Sequence, residues 1–233
     1  MIKIYKVSFI NNFIKLLLLI VCNFIFSQNY HFDYLYKVKL ENKTYNRSII
    51  YYHLISSEDT SIDTEISEFS NDELIIHIAD YKNLVLHIFI IKKDADFLDS
   101  KNFNYKYSGK IINRDEFKKI VSEKRYNIKT IQGTDGNKKE VFEIFKKARD
   151  KKPEYEIVAS LKESETDLRA FNIGKIIGID PFFINLESKE NFYINHAEWN
   201  HNKEKIVYNV LEFHKINLEI STPKELVYSE KNK

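Results

Sequence analysis

The stretch from Tyr30 to Leu40, YHFDYLYKVKL, decides the fold class of this chain. Apolar side chains fall on every second residue, and Leu35 is the exception among the intervening polar positions. Because side chains alternate between the two faces of a strand, one face of this segment would be apolar and largely aromatic. We therefore predict a long β-strand whose buried face consists of Tyr30, Phe32, Tyr34, Tyr36, Val38 and Leu40.

Two further regions extend the predicted sheet. Ser48 to Ser56 (SIIYYHLIS) is apolar on both faces and predicts a more central strand. Glu73 to Ala79 and Leu84 to Ile91 predict a hairpin, because Asp and Asn at the ends of the intervening loop favour a turn. A three-residue loop would place His77 opposite His87, where two histidines among Ile, Val and Phe are typical of a hydrogen-bonded core or of a metal pair.

The middle of the chain changes from strand to helix periodicity. A capping pattern from Asn113 to Glu116 predicts a short helix that ends near Tyr126. Asn137 to Glu140 repeats the pattern, and apolar residues spaced by three and four follow as far as Ala148, before Pro153. These segments predict two short helices in the middle of the chain.

Composition supports a mainly β protein with some helix (α+β). The chain has 15 Tyr, 17 Phe and only five Gly, and aromatic and β-branched residues suit a pleated, half-buried surface. We predict a curved antiparallel sheet, either a half-barrel or a sandwich, with the two helices packed on it. The run from Lys205 to Ile220 is too long for one regular strand and changes parity, which predicts a bulge near Glu212.

Residues 1–27 have the layout of a secretory signal peptide. A basic start is followed by an apolar run from Leu16 to Phe26, and Ser27 is the small residue before Gln28. The run of 11 residues is shorter than the roughly 20 that cross a bilayer, so we expect no transmembrane span in the mature chain. An uncleaved anchor and a lipid-modified Cys22 are the two alternatives.

Cleavage after Ser27 would leave a single β-rich domain, 28–233, with a frayed tail from about residue 225. Its 206 residues have a net charge of −1 and no cysteine, so neither nucleic-acid binding nor a disulfide is expected. The predicted location is the periplasm, the outer envelope or the medium.

Two groups of residues are candidate binding sites. His196 and Glu198 share one strand face and would bind a metal if His214 supplied a third ligand; the alternative is a polar strand end. The second group is aromatic, and a row of Tyr and Phe suits either an apolar ligand groove or a packed core. Its members are Tyr30, Phe32, Tyr34, Tyr36, Tyr105 and Tyr107.

No catalytic motif is present: the mature chain lacks cysteine, and no serine lies in a G-x-S-x-G setting. We therefore expect a non-enzymatic envelope or secreted protein that needs no cofactor and binds an apolar small molecule or a protein partner. The alternatives are a secreted hydrolase with a carboxylate or His-centred metal site, and a structural or adhesion module without a pocket.

The signal that ends in Phe26-Ser27-Gln28, with the Lys, Asn, Ile and Tyr bias that follows, resembles small exported proteins of flavobacterial-type bacteria. The run from Ser48 to Phe89 is similar to uncharacterised secreted proteins of that group. The resemblance implies export, and it transfers no functional residue to this chain.

Overall fold

The described residues form one antiparallel β-sheet of eleven strands. The computed structural model describes residues 28–111, 125–132, 138–147, 149–177, 184, 186 and 190–229. The strands are β1 Asn29–Asn42, β2 Arg47–Ile55, β3 Ile62–Glu68, β4 Glu73–Asp80, β5 Val85–Lys92, β6 Asn104–Lys110, β7 Arg125–Gln132, β8 Lys138–Phe145, β9 Tyr155–Glu163, β10 Phe192–His201 and β11 Glu204–Ser221. A 3-10 turn, Ser100–Asn102, precedes β6, and one described α-helix, α1, spans Arg169–Ile177.

The sheet consists of two meanders joined at one seam. Its strand order is β6-β5-β4-β3-β2-β1-β11-β10-β9-β8-β7, so β1 to β6 and β7 to β11 each follow sequence order. The seam is the pairing of β1 with β11, where Asn29 lies opposite Ser221. At its end, the Gln28 amide donates to the Thr222 hydroxyl, and the Thr222 amide donates to the Gln28 carbonyl, both at 2.9 Å. The sheet is not closed, since β6 and β7 are its edge strands among the described residues.

The predicted amphipathic strand is confirmed as β1, which pairs with β2 on one side and β11 on the other. The five even-numbered residues from Tyr30 to Val38 are all buried. The parity change predicted in β11 is confirmed too: Lys37 pairs with Glu212 and Val38 with Val210, which leaves Leu211 as an extra residue.

The sheet buries different faces in its two halves. One hydrophobic cluster, here core A, includes Tyr34, Tyr36, Ile55, Phe142, Ile157, Phe171, Trp199 and Tyr208. The other, core B, includes Tyr30, Phe32, Leu54, Ile66, Ile76, Phe89, Leu218 and Ile220. Leu54 and Ile55 are adjacent on β2 and point to opposite faces, so the end of β2 is covered on both sides, whereas Arg47 to Ile50 at its start are exposed.

The start of β1 folds over the first meander. Tyr30 donates to Asp80 on β4 at 3.2 Å, and His87 on β5 lies 2.7 Å from the side-chain oxygen of Gln28. Four strand spacings separate β1 from β5, which would be about 19 Å in a flat sheet. The sheet therefore bends sharply here, and the start of β1 covers core B.

The prediction of two short helices in the middle of the chain is wrong for the second. The segment from residue 138 to residue 145 is β8, in which six consecutive residues from Glu140 are buried. A strand buried on both faces loses its period of two, so apolar residues spaced by three and four arise without a helix. The first predicted helix lies outside the described residues, apart from Arg125 and Tyr126, which begin β7. The described helix α1 was not predicted.

The β4–β5 hairpin is present, but its register differs from the predicted one. Four residues, 81–84, separate Asp80 from Val85, and the Asp80 carboxylate accepts from the backbone and side chain of Asn83. Leu84 closes the loop with a φ of 58°. The extra loop residue shifts the pairing by one, so His77 lies opposite Ile88 and the His77–His87 pair does not form.

Residues 227–229 run beside β6. Ser108 donates its amide to the Val227 carbonyl at 2.6 Å and accepts from the Ser229 amide at 3.1 Å. Among the residues that the structure describes, no helix is both long and apolar enough to cross a membrane.

Candidate functional site

A cleft of about 620 Å³ lies on the face of β8 to β11 that is opposite core A. We call it the charged cleft, because lysine, glutamate and histidine side chains supply most of its lining. Its lining residues are Lys139, Glu156, Val158, Ser160, His196, Glu198, Trp199, Asn200 and Lys205.

Strand periodicity positions these side chains. On β9, Ile157 and Ala159 are buried in core A, so Glu156, Val158 and Ser160 project from the opposite face. The register of β9 with β10 sets Val158 opposite Glu198, and Ser160 opposite His196. An apolar side chain, Val158, is thereby left 46% exposed among polar neighbours.

Glu198 is the electrostatic centre of the charged cleft. One carboxylate oxygen lies 2.9 Å from the Lys205 ammonium, and the other lies 3.3 Å from His196 Nε2. The hydrogen bond from Lys205 lowers the pKa of Glu198, and His196 contributes in the same direction. Glu198 is therefore ionised at neutral pH and is compensated from two sides.

A chain of hydrogen bonds fixes the His196 ring. Asn209 donates its amide NH₂ towards Glu41 at 3.5 Å, which leaves its carbonyl oxygen 2.7 Å from His196 Nδ1. Since that oxygen can only accept, Nδ1 carries the proton and Nε2 faces Glu198.

The structure brings together two of the three proposed metal ligands. His196 and Glu198 are in contact, whereas His214 lies beside Glu212, at 3.5 Å, on the part of β11 that faces Leu35. No group of three His, Cys, Asp or Glu side chains in the described part of the chain is arranged to hold a metal ion. The arrangement supports an ion-pair network at this position.

The aromatic groove candidates do not line a common groove. Tyr30 and Phe32 belong to core B, whereas Tyr34 and Tyr36 belong to core A. On β6, a register shift pairs Tyr105 with Phe89 and Tyr107 with Ile88, so these two tyrosines point to opposite faces. Tyr105 packs against core B and Tyr107 is exposed. The four aromatics of β1 therefore fill cores.

Sequence patterns contained part of the information about the cleft. The alternation of Tyr155 to Lys162 predicts a strand, and its outward residues Glu156, Val158 and Ser160 could have been taken from that parity. Lys139 could not be assigned to the cleft in this way, because its segment has helical spacing. Lys205 joins the cleft only through the pairing of β10 with β11. No protein-family model and no curated protein matches the chain, so the site rests on its own geometry.

Proposed function

We propose that the protein is an exported, non-enzymatic binding protein, and that its ligand is another protein of the cell envelope docked on the charged cleft. The observation that carries this proposal is Val158, an exposed apolar side chain that lines the cleft together with Lys139, Glu156, Glu198 and Lys205. An apolar centre with a polar rim is the usual anatomy of a protein–protein interface.

A protein partner has more support than the apolar small molecule expected from the sequence. Small-molecule sites are concave, mostly apolar and able to enclose most of their ligand. Of the aromatic residues that would build such a site, all but the exposed Tyr107 are packed in or against the two cores, and the cleft has charged walls. A folded partner tolerates such walls because its own charges pair with them at the rim.

The charges of the cleft favour a partner surface that carries both signs. The charges of Lys139 and Lys205 are balanced by those of Glu156 and Glu198. A field without net sign gives no long-range attraction to a polyanion such as nucleic acid, and it selects partners by local charge complementarity instead.

Export is the second part of the proposal. The basic, apolar and small-residue segments of residues 1–27 support it, as does the resemblance to exported flavobacterial-type proteins. The hydrolase alternative has less support, since no third ligand of the kind that a zinc site would need joins His196 and Glu198 in the described ranges of the chain.

Site-specific photo-crosslinking tests the proposal. A photoreactive amino acid replaces Val158 in one variant and Leu98, which is 54% exposed in the other half of the molecule, in the control. In the cells that produce the protein, we expect a discrete adduct with an envelope protein from position 158 only. Glu198→Lys in the first variant should abolish it. No adduct, or equal adducts from both positions, would reject the proposed site.

A further inference from the structure

A small cavity of about 10 Å³ lies between α1 and the strands β1, β2 and β11. The residues that matter for its chemistry are Tyr36, His53, Asp63, Asn172, Lys175 and Tyr208. None of them belongs to the charged cleft, so the cavity is a separate feature. It lies at the boundary of core A, beneath the helix.

Two buried polar atoms at this cavity have no hydrogen bond of good geometry among the described residues: the Tyr36 hydroxyl and His53 Nε2. Burial raises the pKa of Tyr36, and nearby Asn172 opposes that rise, but the Asn172 amide makes its hydrogen bond to Tyr208. Tyr36 is 1% exposed and His53 is 4% exposed, so bulk water does not solvate them. Buried polar groups in proteins are nearly always hydrogen-bonded, to protein or to an ordered water. Two orphaned atoms that line one cavity therefore point to a polar occupant.

The hydrogen-bonding role of His53 Nε2 is fixed by the other ring nitrogen. His53 Nδ1 lies 2.5 Å from the Thr64 carbonyl oxygen, which can only accept, so Nδ1 carries the proton. Burial lowers the pKa of His53 well below its ordinary value, and nearby Lys175 acts in the same direction, so the ring is neutral. Nε2 is consequently a bare acceptor, and the occupant must donate to it.

The other polar groups nearby are engaged in ways that leave this site open. Asn172 donates to the Tyr208 hydroxyl at 3.0 Å and accepts from the Ile194 amide at 2.9 Å. Lys175 and Asp63 form an ion pair of 2.6 Å, and their side chains are only 17% and 19% exposed. This ion pair lines the cavity.

We propose that the cavity is a binding site for a single internal water molecule, which donates to His53 Nε2 and is hydrogen-bonded to the Tyr36 hydroxyl. A volume of about 10 Å³ is near the minimum that one water requires, and it excludes a larger ligand. The water would connect β1 and β2 beside the cavity wall that α1 forms in core A. The Lys175–Asp63 ion pair would slow its exchange with bulk water.

Nuclear magnetic resonance of the full-length folded domain tests this directly. We expect a negative Overhauser effect between water and the His53 ring protons, which marks a water with a residence time longer than a nanosecond. The ¹⁵N shift of Nε2 should be that of a hydrogen-bonded acceptor. Absence of the water signal, or a crystal structure in which the Tyr36 hydroxyl contacts His53 Nε2 directly, would overturn the proposal.

Matched variants separate the site from general packing. Tyr36→Phe should weaken the water signal at His53 several-fold, whereas Tyr34→Phe, buried in the same core, should leave it unchanged. Lys175→Met removes the ion pair and should accelerate water exchange at least tenfold. It provides the decisive comparison if Tyr36→Phe does not fold. An unchanged signal in Tyr36→Phe together with unchanged exchange in Lys175→Met would refute the assignment.

Discussion

Leu54 and Ile55 are consecutive residues of β2, and each is buried in a different hydrophobic core. Their side chains leave the strand on opposite faces, Leu54 towards the first meander and Ile55 towards α1 and the second meander. The strand therefore contributes one wall to each of the two cores.

Truncation of these two residues should have independent effects. Leu54→Ala and Ile55→Ala are each expected to lower the free energy of unfolding by about 2–5 kcal/mol, because each opens a cavity in a packed core. The side chains share no cluster, so the double variant should equal the sum within about 0.5 kcal/mol. Urea denaturation of the four proteins measures this.

Val158→Ala is the matched control for the Leu54 and Ile55 variants, since Val158 is exposed and its truncation should change stability by less than about 0.5 kcal/mol. A coupling energy of 1 kcal/mol or more between Leu54 and Ile55 would show that the two cores are not energetically separate.

Arg169, at the start of α1, should be sensitive to substitution because its charge is buried. Its guanidinium lies 2.5 Å from Glu140 on β8 and 2.7 Å from Asp167. Arg169→Met leaves the Glu140 carboxylate buried without its cation, so we expect a loss of about 3–5 kcal/mol in unfolding free energy. Adding Glu140→Leu should restore much of that loss, which chemical denaturation can measure.

An exposed ion pair supplies the comparison for Arg169. Lys215 contacts Glu165 at the surface, so Lys215→Met should cost less than about 1 kcal/mol. If the Arg169→Met, Glu140→Leu double variant is no more stable than Arg169→Met alone, the buried charge is not the cause of the loss.

Leu84 should be replaceable by glycine with a gain in stability. Its φ of 58° places a γ-branched side chain in the left-handed region, which costs about 1–2 kcal/mol for residues other than glycine. We expect Leu84→Gly to raise the free energy of unfolding by up to about 1 kcal/mol, the remainder being lost to the greater freedom of glycine in the unfolded chain. As the control, Lys82→Gly in the same loop should lower the free energy of unfolding. Thermal unfolding of both variants measures the two effects, and effects of the same sign would contradict the prediction.

His87 should make the fold less stable in acid. It accepts from Ser108 and donates to the Gln28 side chain, and burial lowers its pKa to about 4. Between that value and the ordinary pKa of about 6.5, the unfolded chain binds the proton more readily, so stability falls as pH decreases through this window. The slope for one such histidine is at most about 1.4 kcal/mol per pH unit.

Unfolding free energies at pH 5 and pH 7 test this. His87→Gln should reduce the loss between the two pH values, and His214→Gln, at an exposed position, should not. His53, whose pKa burial also lowers, will leave part of the dependence in place. An unchanged pH dependence in His87→Gln would mean that another group governs the acid sensitivity.

Sequence patterns predicted elements whose two faces differ, and failed at β8, where both faces are buried. The alternation of Tyr30 to Val38 predicted β1 correctly because one face is apolar. In β8, Val141 and Phe142 are both buried, and two-sided burial removes the alternation that distinguishes a strand from a helix.

Tertiary contacts decide the remaining features. α1 contains Gly174, and little in its local sequence favours a helix; Arg169 and Asn172 hold it through buried bonds to β8, β10 and β11. The charged cleft depends in the same way on which strands become neighbours, so His196 and Glu198 were identifiable in advance whereas Lys205 was not. The periodicity of a sequence indicates whether each face of a strand is buried or exposed, but it does not indicate which other strand pairs with it.

The hydrogen bonds between Gln28 and Thr222 hold the start of β1 beside the end of β11. If these two ends were joined covalently, the strands from β7 to β11 and then β1 to β6 would form one continuous antiparallel meander. Every strand would then pair only with its sequence neighbours, and the natural break between β11 and β1 falls in the interior of the sheet. The β1–β11 pairing must bring together strands from opposite ends of the described chain, and pairing across so large a sequence separation slows folding. A circular permutant opened between β6 and β7 would convert this seam into a local hairpin, and stopped-flow refolding should be faster than for the natural order.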